Sequence, residues 1–571
     1  MSVFQPAGVD VLFDVNAPMR DGVRLSCDIF FPRGQRGPFP AILRRTPYDN
    51  ATASITADAC YFAQHGYAVV VQDCRGRFDS EGTYTPWVHE AQDGHDTIEW
   101  VGQQPWCNGS VGMQGMSYMG CVQWLAATGS SKYLKCVAPR LVGTNIYHDW
   151  CFPGGAFHLS FFLHWNLRMT GRGTQNLTLY NYEDLAHVLP LRDVPKVAGK
   201  AGTHLDLMFQ HPSYDAFWKA LSVDEQLSRI TVPVLQVNGW YDYFLGGTLR
   251  GYTDMRKRGG SEVARRNQKL VLGPWYHGGN LRTNAGQEDF GYDSVQEPRV
   301  LELRWFDRWL KGIQNGVDTE PPVKLFVMGA NQWRTEHEWP LARAVATPFY
   351  LHSHGRANSS RGDGVLSTEP PNDEPADRYV YDPLNPVPTM GGNGYGPQTN
   401  LGGQAFGPQF AGAHDQRLVE ARDDVLVYTT EPLREDIEVT GPVSLKLYAS
   451  SDARDTDFTA KLLDVHPSGY AVNVCQGILR ARYRETFDQA KLLTPGKMEE
   501  FTINMWATSN LFLKGHRIRL EVSSSNFPHY DRNPNTGHDF GADAEVRAAR
   551  QEVRHSKAHP SRLLLPIARN V

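Results

Sequence analysis

Short apolar segments alternate with amphipathic ones through the first 140 residues of the chain. Val23–Phe31, Ala41–Leu43 and Tyr67–Gln72 have the composition of strands, and the last carries the unbroken β-branched run of a strand buried on both faces. Glu90–Val101 places apolar residues at helical spacing with carboxylates opposite them, which predicts an amphipathic helix. A further strand around Val111 completes a βαβ series, so the pattern predicts a mostly parallel sheet.

The pattern changes in the next part of the chain, where aromatic-rich helical segments such as Phe157–Trp165 alternate with irregular connections. Strand signals resume at Val232–Val237 and at Lys269–Leu272, and each is followed by a glycine-containing turn. A helix is predicted over Val300–Lys311. We therefore expect an α/β domain that is interrupted by a helical cap.

The last part of the chain has a different composition. Residues 353–415 are rich in Gly and Pro, and after them come short alternating segments such as Val443–Tyr448 and His516–Val522. Regularly spaced strands of this kind are typical of an all-β sandwich or jelly roll. The predicted divisions are residues 1–144 for the first part of the α/β domain, 145–229 for the cap, 230–350 for the second part of the α/β domain, and 351–571 for the all-β domain.

Composition and charge exclude several classes of protein. The chain has 571 residues, 41% of them apolar, and a formal net charge of -5, so nothing favours nucleic acid or an anionic membrane as a partner. No stretch approaches the roughly 20 apolar residues of a membrane-spanning helix, and the N-terminus lacks the basic and apolar regions of a signal peptide. The eight cysteines are scattered, without a C-x-x-C pair. We expect a cytoplasmic protein with free thiols.

The segment Val111–Gly120 carries the first candidate chemistry. A short apolar strand leads into Ser117, which has Gly115 before it and a helix-like segment after it. A serine in such a strand-to-helix turn is typical of a nucleophile elbow, which exposes the hydroxyl at a helix N-terminus. The usual G-x-S-x-G spacing is not met, because Met119 lies two positions after the serine and the glycine follows at position 120.

A serine nucleophile needs a base and an orienting acid, because its hydroxyl reacts only when an imidazole accepts the proton. Asp242 lies just past the strand predicted at Val232–Val237, and His277 lies just past the strand predicted at Lys269–Leu272. Open α/β sheets place their sites at the carboxyl ends of strands. The order serine, aspartate, histidine is also the one expected of an α/β-hydrolase.

Taken together, these motifs resemble the cocaine esterase and X-prolyl dipeptidyl peptidase family of serine hydrolases, in which the glycine at position 120 is a family trait. The resemblance covers nearly the whole chain. The segments that carry it are Pro18–Val23, Arg45–Tyr48, Gln72–Gly82, Gly115–Gly120, Gly239–Asp242, Gly273–His277, Trp305–Gly312, Tyr381–Pro388, Asp415–Arg417 and Asp424–Leu426.

The resemblance implies an α/β-hydrolase domain with an inserted helical cap and a C-terminal all-β jelly-roll domain of the galactose-binding-like type. It implies that Ser117 is the nucleophile, His277 the general base and Asp242 its orienting carboxylate. It also implies an oxyanion hole formed by the Tyr48 hydroxyl and the backbone N–H of Tyr118. The residue types alone predict only a turn at position 48, because the surrounding residues are rich in turn formers.

The resemblance further implies that Trp150, Trp165 and Phe244 line an aromatic acyl pocket. An aromatic-rich cap would also place these residues in its own core, and the sequence leaves both interpretations open. A pocket walled by aromatic rings favours a bulky or aromatic acyl group. We therefore expect a serine esterase that acts on small esters or amides through an acyl-enzyme.

Two alternatives stay open, and a third substrate class is disfavoured. An X-prolyl dipeptidyl peptidase, or an acylase or amidase of the same family, is the first of them. α-Amino-acid ester hydrolases of the family hold the substrate ammonium with acids just after the catalytic aspartate, whereas Tyr243, Phe244 and Leu245 stand there in this chain. A substrate with an α-ammonium group is therefore disfavoured. The second alternative is a carbohydrate-binding or adhesive jelly-roll protein with a degenerate hydrolase domain, and the complete set of candidate catalytic residues argues against it. Metal and nucleotide motifs are absent from the sequence, so no cofactor or metal is expected, while a homo-oligomer is compatible with it.

Overall fold

The computed structural model of the protein describes residues 8–174, 180–200, 202–394, 396–397, 406–407 and 410–569. These residues form two large β-sheets, one of ten strands and one of eleven. None of the helices in these ranges is long and apolar enough to cross a membrane. The α-helices are α1 (Ala53–Gln64), α2 (Glu90–Gly102), α3 (Tyr118–Ala127), α4 (Leu159–Met169), α5 (Tyr182–Ala186), α6 (Val194–Val197), α7 (Leu205–Gln210), α8 (Ala216–Leu221), α9 (Leu245–Arg258), α10 (Glu262–Arg266), α11 (Pro298–Lys311) and α12 (Arg417–Glu420).

The first sheet has a parallel centre and antiparallel edges. Its strands and a small hairpin beside it are β1 (Val9–Pro18), β2 (Arg24–Pro32), β3 (Phe39–Thr46), β4 (Ala68–Asp73), β5 (Cys107–Met116), β6 (Leu134–Arg140), β7 (Val234–Tyr241), β8 (Gln268–Tyr276), β9 (Asn284–Ala285), β10 (Glu288–Asp289), β11 (Val323–Val327) and β12 (Gln332–Glu336). The order in the sheet is β1-β2-β4-β3-β5-β6-β7-β8-β11-β12. The pairings from β4 through β3, β5, β6, β7 and β8 to β11 are all parallel.

Strand β4 illustrates how this sheet is buried. All six of its residues are buried, as the continuous apolar run predicts. Val70 packs into the core that contains α2 and α3, whereas Val69 and Val71 pack into the core that contains α1 and α11. Because helices cover both faces, a cleft can form at the carboxyl ends of the parallel strands.

The helical cap is inserted between β6 and β7 and contains α4 to α8. These helices are short apart from α4, and aromatic contacts fix the cap to the sheet domain. The rings of Trp150 and Trp165 in the cap each lie 5.8 Å from Trp87, which precedes α2, and 6.1 Å from each other. The aromatic residues that predict the cap therefore also pack it against the sheet domain.

The second sheet belongs to the C-terminal domain and is mostly antiparallel. The strands of this domain are β13 (Ala344–His352), β14 (Val365–Ser367), β15 (Asp377–Tyr381), β16 (Gly396–Pro397), β17 (Phe406–Gly407), β18 (Leu426–Thr429), β19 (Ile437–Ser451), β20 (Asp457–Val465), β21 (Ala471–Arg480), β22 (Glu499–Phe512), β23 (Arg517–Ser523), β24 (Ala549–Arg554) and β25 (Arg562–Ala568). The order is β15-β24-β19-β25-β13-β14-β18-β23-β20-β21, and β22 pairs with β19.

The predicted fold class is confirmed: a mixed α/β sheet with a helical insert precedes a mostly antiparallel β domain. The placement of one strand adds detail to the predicted divisions. β13 begins at Ala344 and pairs with β25, so the C-terminal sheet includes residues that precede position 351. The first five residues of this strand are exposed or half-buried without regular alternation, so the sequence does not mark where the C-terminal domain begins.

A buried ion cluster joins the C-terminal domain to the cap. Arg480 lies opposite Asp457 in the β20–β21 ladder and bonds to it at 2.9 Å. The same guanidinium contacts Asp531 at 2.8 Å, and that carboxylate accepts a 2.8 Å bond from the backbone N–H of Phe157 in the cap. Removing one member of a buried cluster is costly, because it leaves opposite charges unpaired in a medium that solvates them poorly.

We expect Arg480→Ala to lower stability by about 3–5 kcal/mol, because Asp457 and Asp531 would remain buried without their partner. Thermal unfolding followed by circular dichroism measures the change. Arg378→Ala is the matched control in the same domain, since Arg378 is 70% exposed in its ion pair with Glu552 and exposed pairs contribute about 0–1 kcal/mol. Equal shifts in melting temperature for both variants would contradict the assigned role of the cluster.

Candidate active site

Ser117 stands between β5 and α3 with a left-handed backbone, at φ 59° and ψ -127°. This conformation is uncommon for a residue with a Cβ and is the strained turn expected of a nucleophile elbow. The Ser117 N–H donates a 2.9 Å bond to the carbonyl of Arg140 in β6, and the Ser117 carbonyl accepts bonds from Gly120 and Cys121 in α3. The turn is therefore held from both sides, by the sheet and by the helix.

The two glycines of the motif have separate steric causes. A Cβ on Gly115, whose φ is 142°, would lie 2.6 Å from the Cβ of Met119. A Cβ on Gly120 would lie 2.7 Å from Val142 and 3.1 Å from the Arg140 carbonyl. The second glycine thus stands at position 120, because that is where α3 approaches the chain after β6. Position 119 carries a methionine without such a clash.

Sheet register brings Asp242 and His277 together. Tyr241 at the end of β7 pairs with Tyr276 at the end of β8, so the residues that follow them are neighbours. Asp242 Oδ2 lies 2.6 Å from Nδ1 of His277, and its Oδ1 accepts a 2.7 Å bond from the N–H of Phe244. The carboxylate is fully buried, and it favours the proton on Nδ1 and leaves Nε2 as the nitrogen that can accept one.

Tyr48 follows the end of β3, and β3 lies beside β5, so its loop reaches Ser117. The indole N–H of Trp165 donates a 3.0 Å bond to the Tyr48 hydroxyl oxygen. An indole N–H can only donate, so the phenol proton remains for another acceptor. Burial raises the pKa of Tyr48, while the bond from Trp165 and the charge of Arg168 oppose the rise.

Tyr118 is the first residue of α3, so its N–H belongs to the helix turn in which N–H groups have no partner within the helix. Its side chain points elsewhere. The hydroxyl donates a 3.0 Å bond to Glu90 and accepts one of 2.8 Å from the N–H of Trp87, and the ring is fully buried. Only the backbone of Tyr118 is therefore suited to the predicted oxyanion hole.

A buried arginine fixes the loop that carries Tyr48. The guanidinium of Arg77 donates a 2.9 Å bond to the carbonyl of Pro47 and further bonds to the carbonyls of Met169 and Gly171 at the end of α4. Three backbone carbonyls from two segments thus bind one cation. Arg77 links the loop after β3 to the cap helix that carries Trp165.

One open cleft of about 640 Å³ brings together Tyr48, Ser117, Trp165 and His277. All of its lining residues belong to the α/β domain and the cap. They are Arg44, Tyr48, Thr52, Ser54, Ile55, Ala57, Asp58, Met116, Ser117, Met119, Arg140, Phe161, His164, Trp165, Arg168, Tyr243, His277, Gly278, Asn280, Leu281, Glu297, Pro298 and Arg299.

Two of the residues predicted to line the acyl pocket lie behind its wall. Trp150 and Phe244 are fully buried, with ring centres 4.3 Å apart, and neither lines the cleft. Phe161 fills the space in front of them, at 5.8 Å from Trp150, 5.8 Å from Trp165 and 6.3 Å from Phe244. Trp165 is the predicted pocket residue that lines the cleft.

Sequence reasoning missed Phe161 and Tyr243 as lining residues. The ring of Tyr243 stacks on His277 with centres 4.4 Å apart and lies 5.3 Å from Phe161. Tyr243 directly follows Asp242, and a position just past a buried parallel strand indicates a residue at the sheet edge where such sites form. Phe161 precedes Trp165 by four positions, and this helical spacing places both on one face of α4.

Among the described residues, Asp464, His466 and His516 form the group whose ligand atoms are close enough to hold a metal ion, all within 4.8 Å of one another. These residues belong to the C-terminal domain, and none of them lines the cleft. The described cleft residues include one pair of carboxylates, Asp58 and Glu297, and both lie against arginines. The candidate catalytic groups that line the cleft are its serine, its histidine and the phenol of Tyr48.

The chain is similar to known proteins over most of its length. Residues 21–279 match the family description X-Pro dipeptidyl-peptidase (S15 family), and residues 315–564 match the X-Pro dipeptidyl-peptidase C-terminal non-catalytic domain. The cocaine esterase of Rhodococcus sp. (strain MB1 Bresler) is 40% identical over 98% of both chains.

Two solved structures have a similar fold over almost their full length. An aminopeptidase from the marine sediment archaeon Thaumarchaeota archaeon superposes with a TM-score of 0.84 at 28% identity, covering 100% of this chain and 98% of the other. An α-amino acid ester hydrolase superposes with a TM-score of 0.83 at 29% identity, covering 99% and 98%. The chain is therefore a serine hydrolase that belongs to the cocaine esterase and X-Pro dipeptidyl-peptidase (S15) family.

Proposed function

We propose that this serine hydrolase cleaves small esters with a bulky or aromatic acyl group through an acyl-enzyme on Ser117. The observation that carries the proposal is that Ser117, His277 and Tyr48 meet in one cleft, with Ser117 on a left-handed turn at a helix N-terminus. The similarity to a cocaine esterase supports ester hydrolysis. Amides with the same acyl group are a second substrate class for the same chemistry.

In this mechanism, Oγ of Ser117 attacks the substrate carbonyl carbon while its proton passes to Nε2 of His277. The carbonyl electrons move onto oxygen, which becomes the oxyanion of a tetrahedral intermediate. When the intermediate collapses, the bond to the leaving alcohol breaks and His277 gives that alcohol the proton. Water then repeats the sequence on the acyl-enzyme and releases the acid. Asp242, 2.6 Å from Nδ1, stabilises the imidazolium formed in each half.

The oxyanion is stabilised by the Tyr48 hydroxyl and the Tyr118 N–H. Donors that are already oriented stabilise the developing charge without reorganisation, which is why such groups have large effects on rate. The bond from Trp165 leaves the phenol proton of Tyr48 free to point into the cleft. In this role, Trp165 positions Tyr48 in addition to lining the cleft.

The acyl group packs on a wall formed by Phe161, Trp165 and Tyr243, and Trp150 and Phe244 support that wall from behind. Aromatic faces of this kind favour flat or bulky apolar groups. A free N-terminus, as in an X-prolyl peptidase substrate, would need an acid that is not already paired. Asp58 contacts Arg44 at 2.8 Å and Glu297 contacts Arg299 at 3.0 Å, so peptidase activity has less support.

We expect Ser117→Ala to abolish hydrolysis of 4-nitrophenyl butyrate, because no nucleophile remains. Phenylmethanesulfonyl fluoride should add its sulfonyl mass to the parent protein and not to this variant, as measured by intact-protein mass spectrometry. Ser228→Ala is the control, since Ser228 is an exposed serine outside the cleft. Turnover that survives in Ser117→Ala would contradict the assigned nucleophile.

We expect Tyr48→Phe to lower kcat by about 10²–10³-fold, because one oxyanion donor is lost. Trp165→Phe should lower kcat by about 3–10-fold, the value of one hydrogen bond, because the phenol loses its orienting donor. The double variant should be no slower than Tyr48→Phe alone. If the two effects multiply instead, Trp165 does not act through Tyr48.

We expect Phe161→Ala to raise the ratio of kcat/KM for 2-naphthoyl over acetyl 4-nitrophenyl esters by about tenfold, because truncation opens the space in front of Trp150 and Phe244. Phe162→Ala is the matched control: its ring is buried on the same helix but does not line the cleft. Both variants should lose about 3–5 kcal/mol of stability. A ratio that is unchanged in Phe161→Ala would place the acyl group elsewhere.

A further inference from the structure

Four arginines line the cleft, and three of them are neutralised by carboxylates. Arg44 pairs with Asp58 at 2.8 Å, and the buried Arg140 pairs with Glu302 at 2.7 Å. Arg299 pairs with Glu297 at 3.0 Å. The positive charge of these side chains is therefore balanced within the protein.

Arg168 is the fourth arginine and differs from the others. It is exposed, in the last turn of α4, and among the described residues no carboxylate lies within ion-pair distance of it. Its guanidinium carbon lies 5.6 Å from the centre of the Tyr48 ring. An uncompensated cation thus stands at the side of the cleft where the candidate oxyanion donor is found.

The neighbouring titratable groups do not cancel this charge. His164 lies on the same helix, and burial, assisted by the charge of Arg168, lowers its pKa to about 4, so it is neutral at pH 7. Asp58 and Glu297 are already paired, and the carboxylate of Asp242 is fully buried behind His277. The open cleft therefore carries excess positive charge at Arg168.

We propose that Arg168 is a carboxylate-binding subsite, and that the preferred substrates of this hydrolase carry an anionic group a few bonds from the scissile ester. The inference rests on the proposed function and names its substrate class. A guanidinium presents a planar pair of N–H donors that matches a carboxylate bidentately. Tyr48 connects the two positions, because it lines the same cleft as Ser117 and its ring centre lies 5.6 Å from the Arg168 guanidinium carbon. One small substrate can therefore reach Ser117 and Arg168 together.

The carboxylate could belong to the acyl group or to the alcohol, and two pairs of esters distinguish these sources. The first pair is 4-nitrophenyl hydrogen glutarate and its neutral methyl ester, in which the charge is on the acyl side. The second pair is 3-carboxyphenyl butyrate and its neutral methyl ester, in which the charge is on the leaving alcohol. For each pair, the ratio of kcat/KM between the anionic and the neutral ester is measured.

We expect the parent protein to prefer the anionic member of one pair by about tenfold or more at low salt, the usual effect of a charge-assisted contact. The ratio should fall to about one in Arg168→Gln, should be partly retained in Arg168→Lys, and should decrease at high salt because ions screen an exposed pair. Lys196→Gln is the matched control. It removes one exposed positive charge from the cap at a residue that does not line the cleft, and its ratio should equal that of the parent.

A ratio near one for both pairs in the parent would overturn the proposal, as would an unchanged ratio in Arg168→Gln. A lower melting temperature in Arg168→Gln with an unchanged ratio would assign Arg168 a structural role at the end of α4, where a cation also interacts favourably with the helix dipole. If neutral esters are hydrolysed while these ratios stay near one, the subsite fails and the proposed function stands. If no ester acylates Ser117, both fail.

Discussion

The left-handed backbone of Ser117 is the constraint on which the site depends. A residue with a Cβ in this region carries roughly 1–3 kcal/mol of strain, which persists only when the surroundings fix it. The carbonyl of Arg140 holds the serine N–H from β6, and α3 holds its carbonyl, while Gly115 and Gly120 allow strand and helix to approach. The position of the nucleophile is therefore a property of the packed sheet and helix, and the other candidate groups are placed relative to it by strand order.

Much of the candidate site follows from one rule, that polar residues directly after buried parallel strands meet at one edge of the sheet. Asp242 and His277 could be proposed from this rule alone, and their strands are neighbours with paired ends. Tyr48 could not, because its segment has the composition of an ordinary turn, and only resemblance to a family suggested a role. Helical spacing groups Phe161 with Trp165 on one face of α4, but the direction in which that face points depends on how α4 packs against the sheet domain. The same packing decides whether Arg168 reaches the cleft.

The same contrast applies to the fold. β4 and α2 could be predicted from the spacing of their apolar residues, which is continuous in the buried central strand and helical on the buried face of α2. β1 was not, because eight of its ten residues are exposed or half-buried and it pairs only at the sheet edge. The aromatic rings of the cap were recognised as a group, but their order in depth was not. Trp150 and Phe244 lie behind Phe161, and composition cannot distinguish a first layer of rings from a second.

Trp165 belongs to two parts of the site at once. Its indole N–H binds the Tyr48 hydroxyl, and its ring stacks on Phe161 at 5.8 Å in the cleft wall. The chemical step and the choice of acyl group therefore share one side chain, and natural variation at position 165 would change both together. The phenyl ring of Phe161 has no polar atom with which to hold Tyr48. Divergence of acyl preference among related enzymes would therefore be expected to proceed through position 161 while position 165 is kept.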